Sequence, residues 1–204
     1  MKNSTRKITL AVSIALCTSG LAVAASGAAV PIKAKVAQVL LENAYAETVK
    51  SGELQSPWMG ADIAPIGKIT MPRLGVSEII LNAGSVEAMR AGPTLVPGSA
   101  DIGAPGTSVI AAHRDTHFAF LKDVQVGDIF QVAGRDGVMM PYRVTSMKVV
   151  HADRFTVETG MTQNELALST CYPFGSVRGG KQRYVVRAVL DASQMADIGP
   201  AVIG

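Results

Sequence analysis

Short apolar runs separated by turn residues fill most of the chain, and this pattern predicts a mainly β fold. From Ile66 onward the runs have strand length, and Gly and Pro punctuate them. Residues 184–189 read Tyr-Val-Val-Arg-Ala-Val, a run rich in strand-forming residues with a single charge. The predicted strands lie in the segments GKITMPRLG, SEIILNAG, TSVIAAH, IFQVAG, YRVTSMKVV, ELALSTC and QRYVVRAVL. Seven or eight strands with one or two short helices are typical of a closed or nearly closed β-barrel.

Two segments have helical periodicity instead. Residues 32–49 carry an apolar stripe about one helical turn apart, which predicts an amphipathic helix with Val36, Val39, Leu40, Ala44 and Tyr45 on one face. The segment SVEAMRAG predicts a short helix with Ser85 as its N-cap, Glu87 in its first turn and Gly92 after its end. Between the two helices, KSGELQSPWMGADIAPIG is rich in Gly, Ser and Pro and is predicted to be a linker.

The beginning of the chain has the pattern of an export element. Lys2, Arg6 and Lys7 precede a run without charge over residues 8–32. The small residues Ala22 and Ala24 form a candidate signal-peptidase site, while the length of the run also suits a membrane anchor of about 20 apolar residues. We favour the anchor, and cleavage stays open. Either reading places the rest of the chain across the inner membrane, facing the periplasm.

Composition narrows the classes of function. Hydrophobic residues make up 48% of the 204 residues, enough for a packed core. The net charge is only +3, and no Lys/Arg cluster interleaves with aromatics, so nucleic-acid binding is not expected. The three histidines lack metal-ligand spacing, so neither a metal nor another cofactor is predicted. The predicted divisions are a leader (1–31), the amphipathic helix and linker (32–62), the barrel (63–192) and a tail (193–204).

Candidate chemistry lies at the ends of two apolar strands. TSVIAAH ends in His113 and ELALSTC ends in Cys171. A cysteine becomes a useful nucleophile when a histidine acts as its base or imidazolium partner. Arg183 begins the strand after the Cys171 loop, where a guanidinium could stabilise a thiolate or an oxyanion. The second cysteine, Cys17, lies in the leader, so no disulfide is expected.

These residues resemble those of the sortases, the cysteine transpeptidases of bacterial envelopes. LALSTC resembles their Thr-x-Thr-Cys-like strand with Ser169 in place of a threonine, SVIAAHRDTHF resembles the histidine strand, and QRYVVRA the arginine strand. The resemblance covers residues 63–189 and is greatest to class GN, the marine proteobacterial type, in HRDTHFAFLKDVQVGD and TCYPFG. It implies an eight-stranded barrel in which Cys171 is the nucleophile, His113 transfers protons and Arg183 stabilises the oxyanion.

The resemblance also implies partners and substrate contacts. The expected partners are the C-terminal sorting motif of a dedicated exported protein and an acceptor amine. Thr170, His117 and Phe118 are expected to border the substrate groove. His117 is also the rival of His113 as the catalytic histidine, and we choose His113 because it directly follows the strand. Asp115 and Asp153 could orient the histidine, although solvated loop aspartates are the simpler interpretation.

Two other functions stay open on sequence grounds. A cysteine peptidase would hydrolyse the same thioacyl intermediate, because the groove decides whether water or an amine attacks. A membrane-tethered β-barrel binding module would keep the fold without turnover, and the retention of His113, Cys171 and Arg183 argues against it.

Overall fold

The computed structural model of the chain describes residues 2–82, 86–154, 163–176 and 180–195. It divides into two compact units, Met1–Val39 and Leu40–Gly204. Helix α1 begins at Lys2 and ends at Ser51, so it covers both the predicted leader and the predicted amphipathic helix. In the part of the chain described, we find no helix whose length and hydropathy would let it cross a membrane.

The predicted eight-stranded β-barrel is confirmed. The strands are β1 (Pro65–Met71), β2 (Val76–Leu81), β3 (Thr94–Leu95), β4 (Gly106–Ala111), β5 (Ile129–Ala133), β6 (Met139–His151), β7 (Asn164–Tyr172) and β8 (Gln182–Leu190). They close in the order β1-β2-β3-β4-β7-β8-β6-β5. Helix α2 (Val86–Ala91) and short 3₁₀ helices at Pro72–Leu74, Ala119–Asp123 and Ala152–Arg154 connect the strands, and a further 3₁₀ helix, Ala192–Gln194, follows β8. Strand β3 is only two residues long and is not among the strands predicted from the sequence.

Alternating side chains build the barrel interior. Burial along β1 alternates strictly between buried and half-buried positions, as expected for a strand with one face on the core. The barrel closes where β1 pairs with β5, with Ile69 opposite Val132. The core includes the fully buried residues Phe118, Phe130, Tyr142, Ile69, Ile80, Ile110, Leu121 and Leu168. Phe120 makes edge-on ring contacts with two of these phenylalanines at centroid distances of 5.8 and 6.3 Å.

Strands β4, β7 and β8 form one continuous stretch of the barrel wall. β4 runs parallel to β7, and β7 runs antiparallel to β8. Along β7, Leu166 and Leu168 belong to the barrel core, whereas Ala167 packs with Val109 and Val185 in a separate cluster. The alternation shows that Ala167 marks the outer face, so residues at odd positions of β7 face outward.

The last turns of α1 belong to the second unit and pack there through a different face from the predicted one. Leu41, Ala44, Tyr45 and Thr48 are buried, whereas Val36, Val39 and Leu40 are exposed. The buried set follows the i, i+3, i+4, i+7 spacing of a single helical face. Within it, Leu41 and Tyr45 pack with Ile63, Ile79, Leu81 and Ala88. The predicted stripe was therefore right only for Ala44 and Tyr45. It failed because periodicity gives the spacing of a helical face but not its direction, so that Leu40 is exposed whereas its neighbour Leu41 is 0% exposed.

Tyr45 anchors this helix to the barrel. Its hydroxyl donates a 2.8 Å hydrogen bond to the carbonyl of Gly134, directly after β5. Burial, aided by the charge of Asp136, raises the pKa of Tyr45 to about 12, so the phenol keeps the proton that it donates. Helix α2 agrees with its prediction, and Gly92 donates from its N–H to the carbonyl of Ala88 at the helix end. The predicted N-cap, Ser85, lies outside the described residues.

Candidate active site

Cys171 and Arg183 lie directly opposite each other across the β7–β8 ladder. Further along the same two strands, Ser169 lies opposite Val185, and Ala167 lies opposite Arg187. Because side chains alternate, Cys171 shares the outer face of β7 with Ala167, and Arg183 shares the outer face of β8 with Val185. Both residues are half-buried. The thiol and the guanidinium are thus carried on one face by adjacent strands.

His113 lies at the matching end of β4. This strand ends at Ala111, whose register partner on β7 is Ser169, and the N–H of Ala112 bonds to the carbonyl of Ser169 at 3.3 Å. Continuing this parallel register by two residues puts His113 level with Cys171. His113 is exposed and begins a turn that is closed by a 3.0 Å bond from the Phe118 N–H to its carbonyl. The three sequence-predicted catalytic residues therefore lie at one end of three adjacent strands.

Arg183 is held by its own hairpin. One guanidinium nitrogen, Nη1, donates to the carbonyls of Gly180 and Gln182 at 3.2 and 3.1 Å. The guanidinium has five N–H donors, so these two bonds leave donors on its other nitrogens that can point at a ligand. Arginine is suited to this double task because its donors form a rigid planar fork.

Thr170, the residue before the cysteine, points the other way. Its side chain is 2% exposed, and its hydroxyl donates a 2.7 Å hydrogen bond to the carbonyl of Ala112. The expected substrate contact through Thr170 therefore has almost no exposed surface to act through. The hydrogen bond instead joins the residue before Cys171 to the residue before His113.

His117 and Phe118 take structural positions on the barrel. The Nδ1 of His117 lies 2.8 Å from a carboxylate oxygen of Glu78 on β2, and its Nε2 lies 3.4 Å from the carbonyl of Arg90 on α2. Burial lowers the pKa of His117, but the Glu78 carboxylate and the Arg90 carbonyl more than reverse this and raise it above its ordinary value. Phe118 is 0% exposed in the barrel core, so a substrate in a surface groove does not reach it.

The two candidate carboxylates have partners other than His113 in this structure. Asp115 accepts bonds of 3.3 Å from the Nε of Arg114, and Asp153 lies 3.2 Å from the Nδ1 of His151. Elsewhere in the described ranges, no three His, Cys, Asp or Glu side chains come together as metal ligands would.

Arg114 is the residue that the sequence analysis missed. Only 7% of its side chain is exposed, and it donates to the carbonyls of Pro173, at 2.8 Å, and Ser176. Arginine is almost never buried without such partners. Its place directly after the predicted catalytic histidine was the available signal, but sequence does not show that a loop arginine is buried.

Aromatic rings support the loop after Cys171. Tyr172 stacks on Tyr184 at a centroid distance of 6.2 Å, and Phe174 packs edge-on against both. The returning chain passes so close that a Cβ built on Gly180 would lie 2.5 Å from the carbonyl oxygen of Tyr172. The loop is therefore tightly packed at both of its described ends.

The outer face extends away from Cys171 along β4, β7 and β8. Its middle is apolar, formed by Val109, Ala167 and Val185. At its far end, a carboxylate oxygen of Glu165 accepts from Arg187 at 3.2 Å and from Thr107 at 3.4 Å. Val109, Ala167 and Val185 are at most 4% exposed, so a peptide would reach this face at the end that carries Cys171, Arg183 and the exposed His113.

Comparison with known proteins agrees with this geometry. The family model of the Sortase domain matches residues 69–191. Sortase D of Bacillus subtilis is 32% identical over 82 residues, which are 40% of this chain and 41% of that protein. The match thus spans less than half of that relative.

Solved structures of sortases have the same fold. The pilus-related sortase C of Group B Streptococcus superposes with a TM-score of 0.57 and 26% identity, over 64% of this chain and 69% of that chain. Sortase C of Clostridium perfringens, solved with the C-terminal cell wall sorting motif, has a TM-score of 0.57 and 20% identity, over 78% and 89%. Because the family model spans more than half of the chain and the barrel is shared, this chain belongs to the sortase family.

Proposed function

We propose that this protein is a cysteine transpeptidase that cleaves a C-terminal sorting motif and transfers the acyl part to an amine. The observation that carries the proposal is the register of Cys171 with Arg183 across β7 and β8, with His113 at the matching end of β4. A nucleophile, a proton-transfer group and an oxyanion donor on three paired strands have the rigidity that such chemistry needs.

The reaction proceeds in two acyl transfers. The thiolate of Cys171 attacks the scissile carbonyl carbon, and the guanidinium of Arg183 donates hydrogen bonds to the oxyanion that forms. The intermediate collapses as the C–N bond breaks, and protonated His113 gives its proton to the departing amine. An acceptor amine then attacks the thioester carbonyl, His113 takes a proton from it, and the thiolate of Cys171 leaves.

The substrate we propose is the sorting motif of one dedicated exported protein. The motifs HRDTHFAFLKDVQVGD and TCYPFG support placement in class GN, whose members serve one or a few targets. The sorting motif held by the sortase C of Clostridium perfringens represents the substrate class.

The test is intact-mass analysis of the full chain incubated with C-terminal peptides of exported proteins from the same organism. We expect one peptide to add a stable mass to Cys171, and an added amine to discharge it as a peptide–amine product. Cys171→Ala is the matched control and should fold normally without gaining mass. If the adduct is discharged by water at the same rate with and without amine, the result favours the peptidase. If no peptide adds to Cys171 and iodoacetamide does not modify it either, the result favours the binding module.

The role of Arg183 has its own test. Arg183→Lys keeps the charge but replaces the planar fork by a point-charge ammonium. We expect acylation to slow by about 10²- to 10³-fold, the usual cost of losing an oxyanion donor. Normal rates of acylation in Arg183→Lys would contradict the oxyanion role.

We also propose that the barrel is exported and faces the periplasm at the inner membrane. The basic residues Lys2, Arg6 and Lys7 before a charge-free run support export. Cell fractionation with mass measurement of the mature protein tests the location. A mass that corresponds to a chain beginning after Ala24 would favour a cleaved signal over an anchor. Recovery of the full-length chain in the cytoplasm would contradict export.

A further inference from the structure

We propose that Arg114 is a positioning residue that holds the Cys171 loop against the His113 turn, an inference that rests on the proposed function. Arg114 directly follows His113, and its guanidinium donates to the carbonyls of Pro173 and Ser176. These acceptors lie two and five residues after Cys171. One side chain therefore joins the two segments that carry the nucleophile and its proton-transfer partner.

Burial and several polar partners hold the Arg114 guanidinium in one orientation. The Arg114 side chain is only 7% exposed, so its charge has been taken out of water and its hydrogen bonds are strong. Its Nε faces the carboxylate of Asp115 at 3.3 Å, which partly neutralises the charge and restrains the plane of the guanidinium. The remaining donors then point at the loop after Cys171, where fixed backbone carbonyls receive them.

Strand pairing alone does not provide this link. β4 ends at Ala111 and β7 ends at Tyr172, so both the His113 turn and the Pro173–Ser176 segment lie beyond the paired strands. The Thr170 hydroxyl bond to Ala112 is the last link on the strands themselves. Arg114 extends the connection past the strand ends, where the proposed chemistry takes place.

We expect the loss of Arg114 to lower the rate of acylation more than the affinity for the peptide. A misplacement of about 1 Å between reacting groups can lower a rate by about 10²-fold. We therefore expect Arg114→Ala to lower kcat for acylation by about 10²-fold, with KM changed by less than about threefold. We expect Arg114→Lys to lower kcat by about tenfold, because an ammonium keeps the charge without the planar fork.

The matched control is Arg143→Ala. Arg143 also joins one carboxylate, Asp191 at 2.6 and 2.8 Å, to a backbone carbonyl, that of Gly127 at 3.2 Å. Its register partner is Val189, six residues along β8 from Arg183. We expect Arg143→Ala to keep the wild-type kcat. It therefore separates the general effect of losing a bridging arginine from the specific effect of losing Arg114.

The experiment measures acylation kinetics of the full-length protein at a temperature where circular dichroism shows each variant to be folded. Guanidinium chloride, far below denaturing concentrations, is then added to Arg114→Ala. We expect it to restore kcat at least about tenfold, because the ion fills the vacated site, and to leave Arg143→Ala unchanged. If Arg114→Ala does not fold, the kcat of Arg114→Lys gives the answer.

Wild-type kcat in folded Arg114→Lys and Arg114→Ala, with only the melting temperature lowered, would overturn the proposal. Iodoacetamide gives a substrate-independent readout, and we expect alkylation of Cys171 in Arg114→Ala to slow toward the rate of His113→Ala. If wild-type protein accepts no peptide, the proposed function fails, and this alkylation comparison still decides the positioning role. Equal alkylation rates in Arg114→Ala and wild type would then refute it.

Discussion

Replacing Thr170 with valine tests whether the buried hydroxyl couples the nucleophile strand to the histidine strand. The Thr170 side chain is 2% exposed, and its hydroxyl donates a 2.7 Å hydrogen bond to the Ala112 carbonyl. Thr170 directly precedes Cys171, and Ala112 directly precedes His113. Valine keeps nearly the same shape but cannot donate. The substitution therefore removes the bond without opening a cavity.

The magnitude follows from the burial of this pair. Removing one partner of a buried hydrogen bond costs about 1–3 kcal/mol. A loss of about 2 kcal/mol lowers Tm by roughly 4–8 °C in a chain of this size. If a bond of about 1.4 kcal/mol is needed to hold the Ala112–His113 segment in place, kcat for acylation falls about tenfold, since each 1.36 kcal/mol of barrier is a factor of ten.

Serine is the matched control. Thr170→Ser keeps the donor and loses one methyl group, which costs about 1 kcal/mol of unfolding free energy. In urea unfolding we expect Thr170→Val to lose about 2 kcal/mol and Thr170→Ser about 1 kcal/mol. Only Thr170→Val should lose kcat in single-turnover acylation of fully folded protein. A wild-type kcat in Thr170→Val, or an equal loss of kcat in Thr170→Ser, would refute the reasoning.

Two further predictions concern the surroundings of the site. The raised pKa of His117 means that its ion pair with Glu78 contributes stability below the unfolded-state pKa of 6.5 and that this contribution is lost as the pH rises through the higher folded-state pKa. In urea unfolding, Glu78→Gln should therefore have a lower free energy of unfolding than wild type, and the difference should be larger at pH 5.5 than at pH 9. A difference that does not depend on pH would contradict this. In Gly180→Ala, the new Cβ would lie 2.5 Å from the Tyr172 carbonyl, so we expect a loss of about 1–3 kcal/mol from overpacking and slower alkylation of Cys171. Unchanged Tm and alkylation in Gly180→Ala would show that the loop adjusts freely.

Much of the fold could be predicted from local sequence. Strand alternation and turn residues are properties of neighbouring residues, and they predicted seven of the eight strands and the short helix α2. The two-residue β3 was missed because it is too short to show a period. The ends of the apolar runs also marked His113, Cys171 and Arg183, and their catalytic roles stay predictions.

The sequence misread residues whose environment is set by distant segments. Phe118 and Thr170 were expected at a groove. Phe118 is instead 0% exposed in the barrel core. Thr170 is 2% exposed because its position on β7 turns its hydroxyl toward the Ala112 carbonyl. On α1, periodicity indicated a helical face but not its direction, and Leu41 and Tyr45 are buried because they pack with Ile63, Ile79, Leu81 and Ala88.

By itself, the sequence determined the family, the β class of the fold and the order of the candidate catalytic residues along the chain. Only the tertiary structure decided that β4 lies beside β7, that Cys171 faces Arg183, and that Arg114 is buried against the loop after the cysteine. The reason is physical. Periodicity records which way a side chain points within its own strand, whereas the choice of neighbouring strand and its register depend on how the whole barrel buries its apolar surface and pairs its backbone groups.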